Sequence, residues 1–199
     1  MIIRQATEED IPKVKRIIDS LQIQRSEILS DEEEHHGFLD YTKSEEELLL
    51  ALNPYFAVAE SSGRIRGYLL AYNNSFFRTK FGDAISRNWR HILDNATGSF
   101  VYFDQFGVSN PVDLGAGRTV CRILHHGLKK AREDGLEKAI AYVRNWPAFN
   151  RKASTLLEHL GFESFDEIEL PNGIELKVYE LYLKKENSGE EILRELLGS

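Results

Sequence analysis

Phe106-Gly107-Val108-Ser109-Asn110-Pro111-Val112-Asp113-Leu114-Gly115-Ala116-Gly117-Arg118-Thr119 is the stretch whose reading decides the fold. An apolar, β-prone run enters a polar turn, and the turn passes through two glycines into a segment with helical spacing. Gly115 and Gly117 let the backbone approach an anion with no Cβ in the way. The first amides of the following helix point to the same place, and the macrodipole adds positive potential there. Arg118 and Arg122 put two guanidinium groups on the first turns. A pyrophosphate is the natural occupant of such a turn; a tight loop with no ligand would use the same glycines. The stretch is not a P-loop, because no Gly-Lys-Ser/Thr follows. It also lacks the third glycine of a dinucleotide fingerprint.

Outward from this turn the pattern is regular. Ser99–Val108 reads as a strand. Val120, Ile123, Leu124, Leu128 and Ala131 recur at helical spacing, and Lys138–Val143 reads as a buried strand. Such a strand–helix–strand unit predicts two parallel neighbours. A second helix lies within Trp146–Leu160, starting near Pro147 or Asn150. Phe162–Ile168 and Glu175–Leu183 predict an antiparallel pair around Pro171-Asn172-Gly173. Toward the N-terminus, Tyr55–Glu60 and Arg64–Tyr72 flank Ser61-Ser62-Gly63, a hairpin signal. Ile2–Arg4 reads as a short strand. Thr7 reads as an N-cap whose hydroxyl accepts from the Asp10 amide, ahead of a helix with Ile11, Val14, Ile17, Ile18 and Leu21 on one face. Ser44 caps a further helix that Asn53-Pro54 ends. Ile85, Trp89, Ile92 and Leu93 share one helix face, and Glu190–Leu197 reads as a short amphipathic helix.

The 199 residues fit one domain. Hydrophobic residues at 42% and charged residues at 29% are ordinary for a globular chain, which excludes wholesale disorder. A net charge of −7 disfavours nucleic acid as a partner and permits cationic substrates. Residues 26–50 hold nine acidic residues and one basic, so a local charge of −8 accounts for all of the excess. The one cysteine, Cys121, excludes an intramolecular disulfide and a thiolate metal cluster, and its helical position beside Leu124 reads as a buried small hydrophobe. His35 and His36 after Glu32–Glu34 lack metal-ligand spacing, so no metal is expected. No apolar run approaches a membrane span and no signal-peptide pattern opens the chain. The expectation is a cytoplasmic protein with no membrane contact.

Several loose motifs then fall in one order. Val108 with Gly115-Ala116-Gly117 resembles the pyrophosphate motif of the GNAT superfamily of acyl-CoA-dependent N-acetyltransferases, Arg/Gln-x-x-Gly-x-Gly/Ala after a Val-bearing strand. Asn150-Arg151-Lys152-Ala153, Gly161-Phe162, Gly67-Tyr68 and the opening Ile3-Arg4-Gln5-Ala6-Thr7-Glu8-Glu9-Asp10 are similar to the same family. Val112 stands where the family has Arg or Gln. The resemblance covers residues 1–183, with residues 73–98 as an insert and 184–199 as a C-terminal tail. It implies an α/β (α+β) fold: a mixed, mostly antiparallel twisted sheet with central splayed parallel strands, flanked by helices.

It also implies acetyl-CoA as co-substrate and a transferase moving its acetyl group to a primary amine of a small molecule, by direct attack in a ternary complex. The pantetheine arm would pair with the strand edge at Phe106, Gly107 and Val108, with Gly107 as the bulge that splays the strand. The diphosphate would sit on the amides of Gly115, Ala116, Gly117, Arg118 and Thr119. Asn150 would bond the pantetheine, and Arg151 and Lys152 would meet the adenosine phosphates. The backbone amide at Val108 would polarise the carbonyl, and Asp104 would take the amine proton. The family's tyrosine acid falls on Leu157, which leaves Tyr142, Tyr102 and Ser154 as candidates. Substrate selection is placed at residues 31–41 and 76–93, with Phe76, Phe77, Phe81 and Trp89 as lining. A homodimer is a family habit. The alternatives are a catalytically silent acyl-CoA-binding module, a peptide or protein amino-group acetyltransferase, and a nucleotide-binding regulator with no CoA.

Overall fold

The apolar run Tyr68–Tyr72 has no polar alternation, and in space it lies at the centre of the molecule. The structure is a computed structural model that describes residues 1–23, 38–39, 42–81, 98–113, 115–147, 149–170 and 172–183. Its strands are β1 Ile2–Gln5, β2 Gln22–Ile23, β3 Phe38–Leu39, β4 Ala57–Ser61, β5 Arg64–Asn73, β6 Phe100–Val108, β7 Lys138–Trp146, β8 Glu163–Glu169 and β9 Glu175–Tyr182. Its helices are α1 Ile11–Ser20, α2 Glu45–Leu50, α3 Asn74–Phe81, α4 Ala116–Glu133 and α5 Arg151–His159. A seven-stranded sheet runs β1-β4-β5-β6-β7-β9-β8. Every neighbouring pair in it is antiparallel except β6 and β7. Two-residue strands β2 and β3 form a separate parallel pair.

Both faces of β5 are covered, which explains its continuous apolar run. On one face α4 and α5 bury Leu124, Leu128 and Leu157 against Leu69, Phe103 and Tyr179. On the other, α1 and α2 bury Ile11, Val14, Ile18 and Leu48 against Val58, Leu70 and Tyr72. The β4–β5 hairpin closes over Ser62 and Gly63, both at positive φ (51° and 71°). That is the twist-matched geometry of a two-residue hairpin loop, and it tolerates glycine best.

The α1 entrance has the expected cap at Thr7 and adds to it. Thr7 and Asp10 form a capping box: the Thr7 side chain faces the Asp10 backbone amide, the Thr7 amide donates to Asp10 Oδ2 at 3.0 Å, and the Thr7 hydroxyl donates to the same oxygen at 3.0 Å. The Asp10 amide bonds the Thr7 carbonyl at 3.0 Å and tightens the first turn, Glu8–Asp10, into a 3₁₀ helix. The carboxylate also takes two bonds from Arg4, at 2.6 and 2.9 Å. Arg4 in turn bonds Glu60 across the β1–β4 pair at 2.9 Å. Asp10 is therefore a buried carboxylate fully served by donors. The expected helices around Ile85 and Glu190, the acidic stretch Asp31–Glu34 and the histidine pair lie outside the described residues.

The Arg4 bonds hold the Asp10 carboxyl at about 2, below the usual 3.8. A depressed folded-state value means the stabilisation is complete above about pH 4 and is lost as the pH falls toward about 2. Asp10→Asn is therefore expected to lower unfolding free energy by about 2 kcal/mol at neutral pH. It should also flatten the pH dependence of urea midpoints across that acid window. A variant curve parallel to the parent curve contradicts this assignment.

Candidate active site

Pairing between β6 and β7 stops early. Phe100, Val101, Tyr102 and Phe103 pair with Lys138, Ala139, Ile140 and Ala141. Beyond Phe103 and Ala141, β6 continues to Val108 and β7 to Trp146 without pairing with each other. The cause sits on the other side of β6. Leu70 pairs with Gln105 and Ala71 with Phe103, so Asp104 is an extra residue in the β5–β6 ladder. Such a bulge bends the strand and resets its side-chain alternation. Tyr102 packs on the α1 face, whereas Phe106, four residues later, packs on the α4 face.

The bulge is thus at Asp104 and not at Gly107, where the sequence places it. Gly107 has a different reason to be glycine: a Cβ there would lie 2.5 Å from Leu21 Cδ1 and 3.1 Å from Tyr68 Cε1. The end of α1 rests directly on this strand. Past the bulge, β6 offers its Asp104–Val108 edge along the gap toward β7, ready for an extended ligand to pair with.

At the point of divergence the Asp104 side chain is 0% exposed. Lys43 Nζ lies 3.1 Å from its Oδ2, and Lys43 itself is only 12% exposed. The Tyr72 and Tyr102 hydroxyls hydrogen-bond to the same carboxylate. Burial first, and the carboxylate second, push both phenols well above their ordinary range. Tyr68 is pushed the same way for the same reasons, and its buried hydroxyl has no hydrogen-bond partner among the described residues. Aromatic rings extend the cluster: Tyr72 to Phe77 at 5.3 Å, Phe77 to Tyr102 at 6.0 Å, and Tyr102 to Tyr142 at 5.6 Å. Burial, with the Asp166 carboxylate adding, raises the Tyr142 hydroxyl too.

Asp104, Tyr102 and Tyr142, the three residues singled out for chemistry, therefore meet in one place. Lys43, Tyr68 and Tyr72 join them unannounced. Signals for them existed: Lys43 is the sole basic residue of 26–50, and Tyr68 and Tyr72 share a strand face at even spacing. Ser154 lies elsewhere. Its hydroxyl is 2.5 Å from the Tyr179 hydroxyl and 3.2 Å from Glu158 Oε1, a chain that ties α5 to β9. Leu157 is fully buried in the core. Cys121 is buried, and burial raises its thiol, as suits a small core hydrophobe.

The glycine turn is open but partly self-satisfied. The Gly115 amide donates to Asp113 Oδ1 at 3.2 Å, the Ala116 amide to the Asp113 carbonyl at 2.9 Å, and the Thr119 amide to the Gly115 carbonyl at 3.0 Å. A Cβ added at Gly117 would meet nothing within 4 Å. Arg118 is exposed beside it, and Val112 is 88% exposed. Asn150 caps α5, its Oδ1 accepting from the Ala153 amide at 3.2 Å. Among the described residues no three His, Cys, Asp or Glu side chains cluster as metal ligands, and no helix is long and apolar enough to cross a membrane.

No family model matches the chain, and no curated protein matches it in sequence. Solved structures do match. Ard1 from Thermoplasma volcanium aligns over 92% of this chain and 98% of its own, with 14% identity and a TM-score of 0.62. The Drosophila melanogaster polyamine N-acetyltransferase aligns over 91% and 99%, with 13% identity and a TM-score of 0.59. Arabidopsis thaliana Naa50, bound to the bisubstrate analogue CoA-Ac-MVNAL, aligns over 90% and 97%, with 13% identity and a TM-score of 0.59. The chain has the GNAT acetyltransferase fold. The GNAT resemblance read from motif order and the observed sheet agree, down to the one parallel pair and its early parting.

In this GNAT fold the Asp104–Lys43 pair is a buried charge pair whose halves depend on each other. Removing one partner leaves an uncompensated buried charge. Lys43→Ala is expected to lower stability by roughly 3–5 kcal/mol, and adding Asp104→Leu to recover most of that loss. Additive losses in a urea-unfolding double-mutant cycle would contradict the coupling.

Proposed function

We propose that this chain, with residues 1–183 as its working domain, transfers an acetyl group from acetyl-CoA to a primary amine of a small molecule. Attack is direct, in a ternary complex, since among the described residues no activated nucleophile stands beside Asp104. One observation carries the reading: β6 parts from β7 at Asp104, the residue that holds a buried carboxylate. The unpaired β6 edge at Phe106, Gly107 and Val108 takes the amide-bearing pantetheine arm as an added strand. The start of α4 takes the diphosphate, chiefly through Gly117 and Arg118, since Gly115, Ala116 and Thr119 already spend their amides inside the turn. Asn150, at the start of α5, borders the same arm.

Asp104 accepts a proton from the incoming ammonium, and the Val108 amide polarises the acyl carbonyl. Tyr102 hydrogen-bonds Asp104, but both it and Tyr142 are poor acids here. A thiol titrates near about 8.5, so a phenol raised far above 10 cannot readily protonate the departing thiolate. The proton captured by Asp104, or one from water, serves instead.

The enclosure of Asp104 under Lys43 and the tyrosines favours a small amine over a peptide. Among the neighbours both kinds occur: the Drosophila enzyme forms N-acetylagmatine, and the Naa50 ligand carries a peptide. The buried Leu157 favours one second reading, a catalytically silent acyl-CoA-binding module. Thiol release from acetyl-CoA across an amine panel separates them: turnover supports the enzyme, and binding without turnover supports the module.

Two variants test the site. Gly117→Glu adds a carboxylate in open space and should leave stability intact while weakening acetyl-CoA binding at least about 100-fold by calorimetry; unchanged binding contradicts the anion site. Asp104→Asn should lower kcat by about 100-fold or more with acetyl-CoA affinity unchanged. Full activity in that variant rules Asp104 out as the base.

A further inference from the structure

The acidic segment 26–50 has one cation, and that cation is the group held against Asp104. Lys43 reaches it from a fixed base. Immediately after it, Ser44 and Glu47 form a reciprocal cap at the start of α2: the Glu47 amide donates to Ser44 Oγ at 3.1 Å, and the Ser44 amide donates to Glu47 Oε2 at 2.7 Å. The four-carbon stem then carries Nζ to 3.1 Å from Asp104 Oδ2, with only 12% of the side chain exposed. Tyr72 and Tyr102 bond the same carboxylate. The arrangement is that of a primary alkyl ammonium seated on a buried carboxylate, at the residue where β6 parts from β7.

We propose that Lys43 occupies the acceptor-amine position and is itself acetylated by the chain. This rests on the acyl-transfer reading given above. Tethering makes the reaction intramolecular, which gives the ε-amine a high effective concentration relative to any free lysine. Asp104 takes one proton from the ε-ammonium. The nitrogen lone pair then forms a C–N bond to the acyl carbon, and the C–S bond breaks with its electron pair on sulfur. The second proton lost from nitrogen goes to the thiolate, giving the free thiol, and Asp104 returns its proton to solvent. The net change is one ammonium and one thioester converted to one amide, one thiol and one released proton. The product no longer carries the charge that paired Asp104, so an external amine can follow only by displacing a neutral side chain. The same pocket therefore selects for unbranched primary alkyl amines, the shape that Lys43 already has.

The test uses the full chain and deuterated acetyl-CoA, which separates new label from acetylation acquired during expression. Tryptic mass spectrometry compares Lys43 with Lys129, which is 60% exposed and lies on the surface of α4. Expected is labelling of Lys43 at least about tenfold faster than Lys129 in the folded protein, falling below Lys129 in urea. Asp104→Asn should remove the excess at Lys43 and leave Lys129 unchanged. Labelling of Lys43 no faster than Lys129, in a protein that calorimetry shows to bind acetyl-CoA, overturns this proposal and leaves the acyl-transfer reading standing. Absence of acetyl-CoA binding overturns both.

Discussion

One inserted residue governs the site. Asp104 has no partner position on β5, so β6 bends there and can follow β7 no further than Phe103. Parallel pairing over four residues is enough to hold the two strands together at one end, because β5 and β9 pair with their outer edges along their lengths. Past that point each strand keeps one outer neighbour and leaves an inner edge open. A cleft inside a sheet ordinarily exposes costly unpaired backbone. Here the chain tolerates it because the two helical layers hold the sheet from both faces.

The same residue puts a charge where water is scarce. A fully buried carboxylate is costly to desolvate unless cations and hydroxyls surround it. Lys43, Tyr72 and Tyr102 meet that need, drawn from α2's N-terminal flank, β5 and β6 itself. Bulge, ion pair and tyrosines are thus one unit. It couples the N-terminal flank of α2 to β6 through Lys43. Displacing that lysine with another amine would leave the charge balance of the pocket unchanged, which is the physical basis of the amine recognition proposed above.

Much of this was legible in the sequence, and the rest was lost for identifiable reasons. The β4–β5 hairpin, α4 and the β6–α4–β7 unit follow from period and turn chemistry, signals that are local. The bulge is not local. Glycine is a common bulge residue, so Gly107 drew the assignment, yet its smallness serves the contact with Leu21 from α1. Asp104 occupies the bulge with partners on two other elements, the N-terminal flank of α2 and β5, neither of which its own strand reveals. Thr7 is legible as the cap at the helix start, whereas the bonds from Arg4 to the same Asp10 carboxylate come only with folding. Lys43 was counted as a charge in an acidic stretch, and only folding shows that it points inward.

Backbone amide hydrogen exchange on the free and acetyl-CoA-loaded protein tests the central claim most directly, because it reads the open β6 edge itself. Amides of Phe100–Phe103, paired with β7, should be protected in both states. Those of 104–108 that face the gap should exchange rapidly in the free protein and become protected on loading, together with the start of α4. Protection of 104–108 already complete in the free protein, or binding that leaves this edge unchanged, would contradict the account.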